Sequence, residues 1–208
     1  MIIEYEKPED IEKRSFEIIQ SELSKELDPE LAPVIMRVIH TTADFEYAKS
    51  LAFSANVVDL AVSALQKGIN IVCDTNMVKA GVDKTRLHAL GGDIHCFIRD
   101  EDVIQNAKSN GSTRAREAID KAATMDKPLI FVIGNAPTAL IRICRLIEEE
   151  KLSPVLVIGV PVGFVNVVES KELIMRSGAP YIVAKGRKGG SNVAAAICNA
   201  LLRLTGSR

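Results

Sequence analysis

Short apolar runs punctuate the chain at 69–73 (INIVC), 95–98 (HCFI), 129–133 (LIFVI), 155–158 (VLVI) and 181–184 (YIVA). They are rich in β-branched residues and do not alternate with polar ones, the pattern of strands covered on both faces. Helical periodicity fills the intervals, near 55–67, 76–90, 112–125, 137–150 and 167–177. A further helical pattern lies near 190–203, and two precede the first strand, near 8–26 and 28–41. Strand followed by helix, repeated in this way, predicts an α/β fold with right-handed crossovers. The expectation is a single domain over 1–208. It has a mostly parallel open sheet of about five strands, helices on both faces and two N-terminal helices. No internal repeat, low-complexity tract or linker divides it.

Open parallel sheets bind ligands beyond the C-terminal ends of their strands. The segments found there read Asp74-Thr75-Asn76-Met77, Gly134-Asn135-Ala136-Pro137-Thr138, Gly159-Val160-Pro161-Val162-Gly163-Phe164 and Lys185-Gly186-Arg187-Lys188-Gly189-Gly190-Ser191-Asn192. Helices open from these loops, and their first N–H groups and positive dipole ends suit an anion. Ordinary capping turns have the same composition, so both readings stand. The segment 186–191 has the glycines and basic residues of a phosphate loop but does not fit GxxxxGK[ST], and no GxGxxG follows the first strand. Arg187 and Lys188 either charge a glycine-rich anion site or face solvent.

Composition narrows the partners. Lys and Arg number 26 against 27 Asp and Glu, a net charge of −1. No global field draws the chain to nucleic acid or to an anionic membrane, so an anionic ligand needs a local cluster. Aromatics make up 4% with no Trp, which argues against a base-stacking platform. The cysteines at 73, 96, 144 and 198 form no CxxC pair and no zinc spacing, and they sit in apolar contexts. Reduced thiols in a cytoplasmic protein are the expectation. The N-terminal residues lack a signal layout. The longest uncharged stretch, 152–168, is interrupted by Pro154, Gly159, Pro161 and Gly163 and is too short for a membrane span. Three scattered histidines give no metal-ligand spacing, so no metal site is expected.

His40 is the most informative residue. The helix near 28–41 carries its apolar stripe on Leu31, Val34, Ile35, Val38 and Thr42. At roughly 100° per residue, His40 falls half a turn from Leu31, off that stripe. It stands in the last helical turn, where the dipole favours imidazolium. A cationic His beside Thr41, Thr42 and Asp44 suits a general acid; an exposed helix-end His is the alternative. Arg114 and Arg116 lie in a first helical turn, against the dipole, where they either bind an acidic ligand or are solvated at a small cost. Ser112 or Thr113 caps that helix. Ser15 reads as a surface residue, and Glu169-Ser170-Lys171-Glu172 as the charged first turn of a helix. No spacing suggests a Ser-His-Asp or Cys-His nucleophile.

Taken together, these segments resemble the precorrin-8X methylmutase family, also called cobalt-precorrin-8 methylmutases, of cobalamin biosynthesis. The resemblance rests on 14–19 (RSFEII), 37–44 (RVIHTTAD), 73–78 (CDTNMV), 134–140 (GNAPTAL), 161–166 (PVGFVN), 169–171 (ESK) and 186–191 (GRKGGS), in that order. It implies an isomerase that moves a methyl group from C11 to C12 of a contracted tetrapyrrole, with or without cobalt. No redox agent, external methyl donor or other cofactor is needed. The family's catalytic His maps onto His40 and its active-site Arg onto Arg114. Ser15, Thr113, Asn135, Thr138, Arg187, Gly189 and Ser191 follow as substrate-binding candidates, suited to acetate and propionate carboxylates. The resemblance further implies a homodimer with sites at the interface. Over 83–99 the match is loose and carries no residue across. A non-catalytic tetrapyrrole- or nucleotide-binding module is the competing expectation, and it would not need an acid at His40.

Overall fold

The computed structural model describes residues 7–125 and 127–206. Two helices, α1 (Pro8–Glu22) and α2 (Ala32–Thr42), lead through the single turn α3 (Tyr47–Ser50) into β1 (Leu51–Phe53). Then follow α4 (Val57–Gln66), β2 (Asn70–Cys73), α5 (Asn76–Gly81), α6 (Lys84–Ala89), β3 (Ile94–His95), α7 (Glu101–Ser109) and α8 (Arg114–Ala123). The second half alternates β4 (Leu129–Ile133), α9 (Pro137–Glu148), β5 (Leu156–Gly159), α10 (Val167–Arg176), β6 (Tyr181–Ala184) and α11 (Ser191–Leu204). The strands lie in the order β1-β6-β5-β4-β2-β3. All neighbours pair in parallel except β1, which runs antiparallel to β6 with Leu51 opposite Ala184.

The unbroken apolar runs have their reason in two cores, one on each face. Along β4, Ile130 and Val132 join the core packed by α2, α4 and α11. Leu129, Phe131 and Ile133 join the core packed by α8, α9 and α10. β5 and β6 divide in the same way, with Ile158 and Ile182 on the first face and Val157 and Val183 on the second. A strand buried on both sides has no polar position to alternate.

The sheet has six strands rather than about five. β1 escapes the apolar-run criterion because it is three residues long and only its first is buried. β3 is shorter than the run at 95–98, which leaves the sheet after His95. The helix expected over 76–90 is two helices. Val82 is extended, and Asp83 caps α6 by accepting from the Arg86 amide at 3.0 Å. The first helix stops at Glu22 instead of running to 26, and α7 over the polar stretch after Arg99 was not expected.

β4 ends where α11 begins. Gly134 is buried, and a Cβ there would stand 2.8 Å from Ser191 Cα and 3.1 Å from Ser191 N. Backbone cannot yield as a flexible side chain does. Gly134→Ala is therefore expected to destabilise the protein by about 1–3 kcal/mol. That lowers the thermal midpoint by roughly 2–4 °C per kcal/mol in a chain of this size. Thermal unfolding checks it, and an unchanged midpoint would contradict so close an approach.

Candidate active site

From β2 the chain proceeds outward to β3; from β4 it proceeds the other way to β5 and β6. The crevice between β2 and β4 is thus a topological switch point, the place where α/β sheets bind ligands. Asp74, immediately after β2, spans it. Its carboxylate is 4% exposed and accepts from the amides of Gly134 (2.9 Å), Asn135 (2.8 Å) and Ala136 (2.6 Å). Ala136 is the N-cap of α9, so the protein's own carboxylate fills the positive end of that helix. Burial pushes the Asp74 carboxyl above the ordinary aspartate range, against the pull of the three N–H donors.

The adjoining hydroxyls knit the loops together. Thr75 accepts from the Val78 amide to cap α5 and shares a 2.9 Å hydrogen bond with Ser191 at the start of α11. Thr113 caps α8 by accepting from the Arg116 amide at 3.2 Å, and its hydroxyl donates to that of Thr138 at 2.9 Å. Thr113 is therefore the cap. Ser112 instead donates to Glu117, which Asn110 also reaches and which is 7% exposed. Arg114 is exposed beside these hydroxyls, as is Asn135, whose amide is held by Asp74.

A third cluster surrounds the loop 185–190. Arg187 lays its guanidinium 5.3 Å from the ring centroid of Phe164. Gly189 presses flat on the preceding loop: a Cβ there would meet Val160 O at 2.1 Å. Lys188 donates to Asp44 and Glu46 at 2.6 Å each, and these ion pairs hold its ammonium far above the ordinary lysine range. That contact ties the loop to the segment just after α2, where Ala43 takes a left-handed φ of 53° to end the helix. His40 stands in the last turn of α2, exposed, while Val34, Ile35, Val38 and Ile39 are buried. Its ring meets Phe16 of α1 at 5.4 Å between centroids. Ser15, next to Phe16, turns its hydroxyl back to Ile11 O at 2.8 Å.

Two residues carry more of this arrangement than their sequence context suggested. Asp74 lay in a noted segment but had no assigned role. Lys171, read as part of a solvated first turn, is 1% exposed and donates to Gly186 O and Lys188 O at 2.8 Å each. Burial pulls its ammonium down to about 8. The signal was present: Val167, Ser170, Lys171 and Ile174 are the buried positions of α10, at helical spacing. His88 is exposed against Asp93, and His95 stacks on Phe97 with its carbonyl accepting from Cys73 Sγ at 3.4 Å. Among the described residues no group of three or more His, Cys, Asp or Glu is placed to hold a metal ion. No helix of the described residues is long and apolar enough to cross a membrane.

Asp74→Asn replaces one acceptor oxygen by an amide NH2, a donor that faces N–H groups. It is expected to cost about 1–3 kcal/mol, the penalty of leaving buried donors unpaired. Faster hydrogen exchange at the amides of residues 134–136 should accompany the loss. Unchanged protection there would show that the carboxylate does not hold the loop.

Comparison with known proteins converges on one group. The family model for precorrin-8X methylmutase matches residues 10–204. The cobalt-precorrin-8 methylmutase of Leptospira interrogans is 46% identical over 207 residues, covering 95% of this chain and 94% of that protein. Its counterpart in Salmonella typhimurium is 44% identical, with 95% of each chain covered. The crystal structure of precorrin-8X methyl mutase from Thermus thermophilus superposes with a TM-score of 0.87 at 36% identity, over 95% of this chain and 98% of that one. The α/β architecture is therefore shared as well as the sequence, and the chain belongs to the precorrin-8X methylmutase family, which are isomerases of cobalamin synthesis.

Proposed function

We propose that this enzyme moves a methyl group from C11 to C12 of precorrin-8X or its cobalt-bearing counterpart, with His40 as the general acid. The observation that carries the reading is the setting of His40. It is exposed at the end of α2, off the buried face, and the ion pairs of Lys188 with Asp44 and Glu46 bind that end to the loop holding Arg187. Donating a proton, or a strong hydrogen bond, to a ring nitrogen makes the conjugated system electron-poor. The methyl then migrates with its bonding pair between adjacent ring carbons, and the proton returns to the imidazole. The rearrangement is redox-neutral, so the reading requires no added cofactor, and the four free cysteines suit a reducing, cytoplasmic setting. Arg114 and Arg187 take substrate carboxylates by charge-assisted hydrogen bonds. Asn135, Thr138, Gly189 and Ser191, on the strand-end loops and the first turns they open, Thr113 at the start of α8 and Ser15 on α1 are the further residues assigned to the macrocycle.

A homodimer completes this reading. The cleft lined by Thr113, Arg116 and Thr138 has a volume of about 210 Å³, below the roughly 300–1,000 Å³ of sites for drug-sized ligands. A tetrapyrrole needs a further wall. Phe164 (80%), Val165 (79%) and Val162 (49%) are exposed on the loop after β5, and Met77 (69%) in the first turn of α5. Apolar side chains so exposed beside a ligand site suit a second copy of the chain.

Turnover of precorrin-8X and of its cobalt form, followed in the visible spectrum, tests the chemistry. His40→Ala is expected to lower kcat by about 10²–10⁴-fold, the usual contribution of a placed acid, with KM little changed. His40→Asn should fall near Ala. Arg114→Ala should instead raise KM by roughly tenfold to a hundredfold, the worth of a hydrogen bond to a charged group. Turnover of His40→Ala within threefold of wild type at saturating substrate would remove the acid from the mechanism.

Light scattering tests the assembly. The wild type is expected to have twice the chain mass at micromolar concentration, and Val165→Glu to shift it toward the monomer with loss of turnover. A fully active wild-type monomer would overturn the dimer.

A further inference from the structure

Three successive carbonyls of the loop 185–190 are each taken by a donor. Gly186 O and Lys188 O accept from Lys171 Nζ, each at 2.8 Å, and Arg187 O accepts from the Gly163 amide at 3.1 Å. Both donors come from the segment between β5 and the middle of α10. The peptide bonds are trans, and in a trans peptide the N–H points opposite to the C=O of the same unit. The amides of Arg187 and Gly189 therefore face away from Lys171, and that of Lys188 faces away from Gly163. Among the described residues these three amides donate to no protein acceptor. Their neighbours are bonded, Lys185 N to Ser50 O and Gly190 N to Val160 O, each at 2.8 Å. Gly186 and Gly189 make the turn possible with φ of +76° and +155°.

Lys171 is an unusual choice for holding two carbonyls. It is 1% exposed, and among the described residues no carboxylate pairs with it. Burying an unpaired ammonium costs stability. What it supplies is polarisation: a cation at the oxygen end of a peptide dipole makes the N–H end more positive. Successive N–H groups turned to one side form the kind of concavity that holds an oxyanion. The Arg187 guanidinium lies over the Phe164 ring, whereas the Lys188 charge is already committed to Asp44 and Glu46.

We infer that the amides of Arg187, Lys188 and Gly189 form a backbone nest for one carboxylate of the tetrapyrrole, and that Lys171 is the positioning residue that shapes and polarises it. The inference rests on the tetrapyrrole reading above and goes beyond it by assigning the ligand group to main-chain donors and a role to a side chain that touches no substrate.

The experiment is a ¹⁵N NMR titration of the full-length protein with two probes: precorrin-8X, and tricarballylate, a tricarboxylate without a macrocycle. Saturation with precorrin-8X is expected to move the amide protons of Arg187, Lys188 and Gly189 downfield, while those of Lys185 and Gly190 stay. Lys171→Met, checked for folding by its thermal midpoint, should lose these shifts. It should raise KM by about tenfold with kcat within threefold, the loss of a charge-assisted contact, the reverse of the pattern expected for His40→Ala. If the Met variant fails to fold, Lys171→Gln, a neutral donor, carries the same comparison. Amides that shift with tricarballylate but not with precorrin-8X would uphold the nest and sink the tetrapyrrole reading. Amides that shift with neither probe would overturn the nest. Shifts unchanged in a folded Lys171 variant would overturn the role of Lys171.

Discussion

The site depends on one buried carboxylate. Asp74 sits where the sheet changes direction and takes three successive amides of the loop after β4. Without it, the first N–H groups ahead of α9 would be buried donors lacking acceptors, and β2 and β4 would be joined at this end by their ladder alone. Desolvation works against a charge here, and three N–H groups at 2.6–2.9 Å favour it. The balance makes the crevice a rigid floor. It also means that the anion position at this edge is occupied from within.

The same logic, with the sign reversed, governs the loop after β6. A buried cation, Lys171, takes carbonyls there as Asp74 takes amides at the switch point. The two devices orient backbone dipoles in opposite senses relative to the open end of the sheet. Around Asp74 the donors turn inward and are consumed. Around Lys171 the acceptors turn inward and the donors are left facing out. Arg187 lies on this β6 side, and Lys188 fastens the same loop to the end of α2.

Much of the fold was legible because burial on both faces writes itself into a strand as an unbroken apolar run. β2, β4, β5 and β6 were placed to within a residue or so for that reason. β1 and α7 were not legible. β1 is a half-exposed edge of three residues, and α7 buries only Val103 and Ala107, so neither carries enough pattern. The exposure of His40 followed from its angle on α2, since helical geometry is local. The fate of Lys171 was readable only in part: its spacing with Val167 and Ile174 marks a buried face, but a lysine there reads more naturally as solvated unless a partner is known.

The sequence by itself determined the α/β class, the strand-end loops, the off-core position of His40 and, through ordered motifs spread over most of the chain, the family. These are consequences of local periodicity and of residue order. Tertiary structure decided which loops meet. It set Thr75 against Ser191, Thr113 against Thr138, Lys188 against Asp44, and Lys171 beneath Gly186. Such contacts join positions far apart in the chain, and their existence depends on strand order and crossover direction, which no window of residues encodes. The direction in which a loop peptide turns its N–H is decided by whichever buried donor or acceptor the fold places behind it.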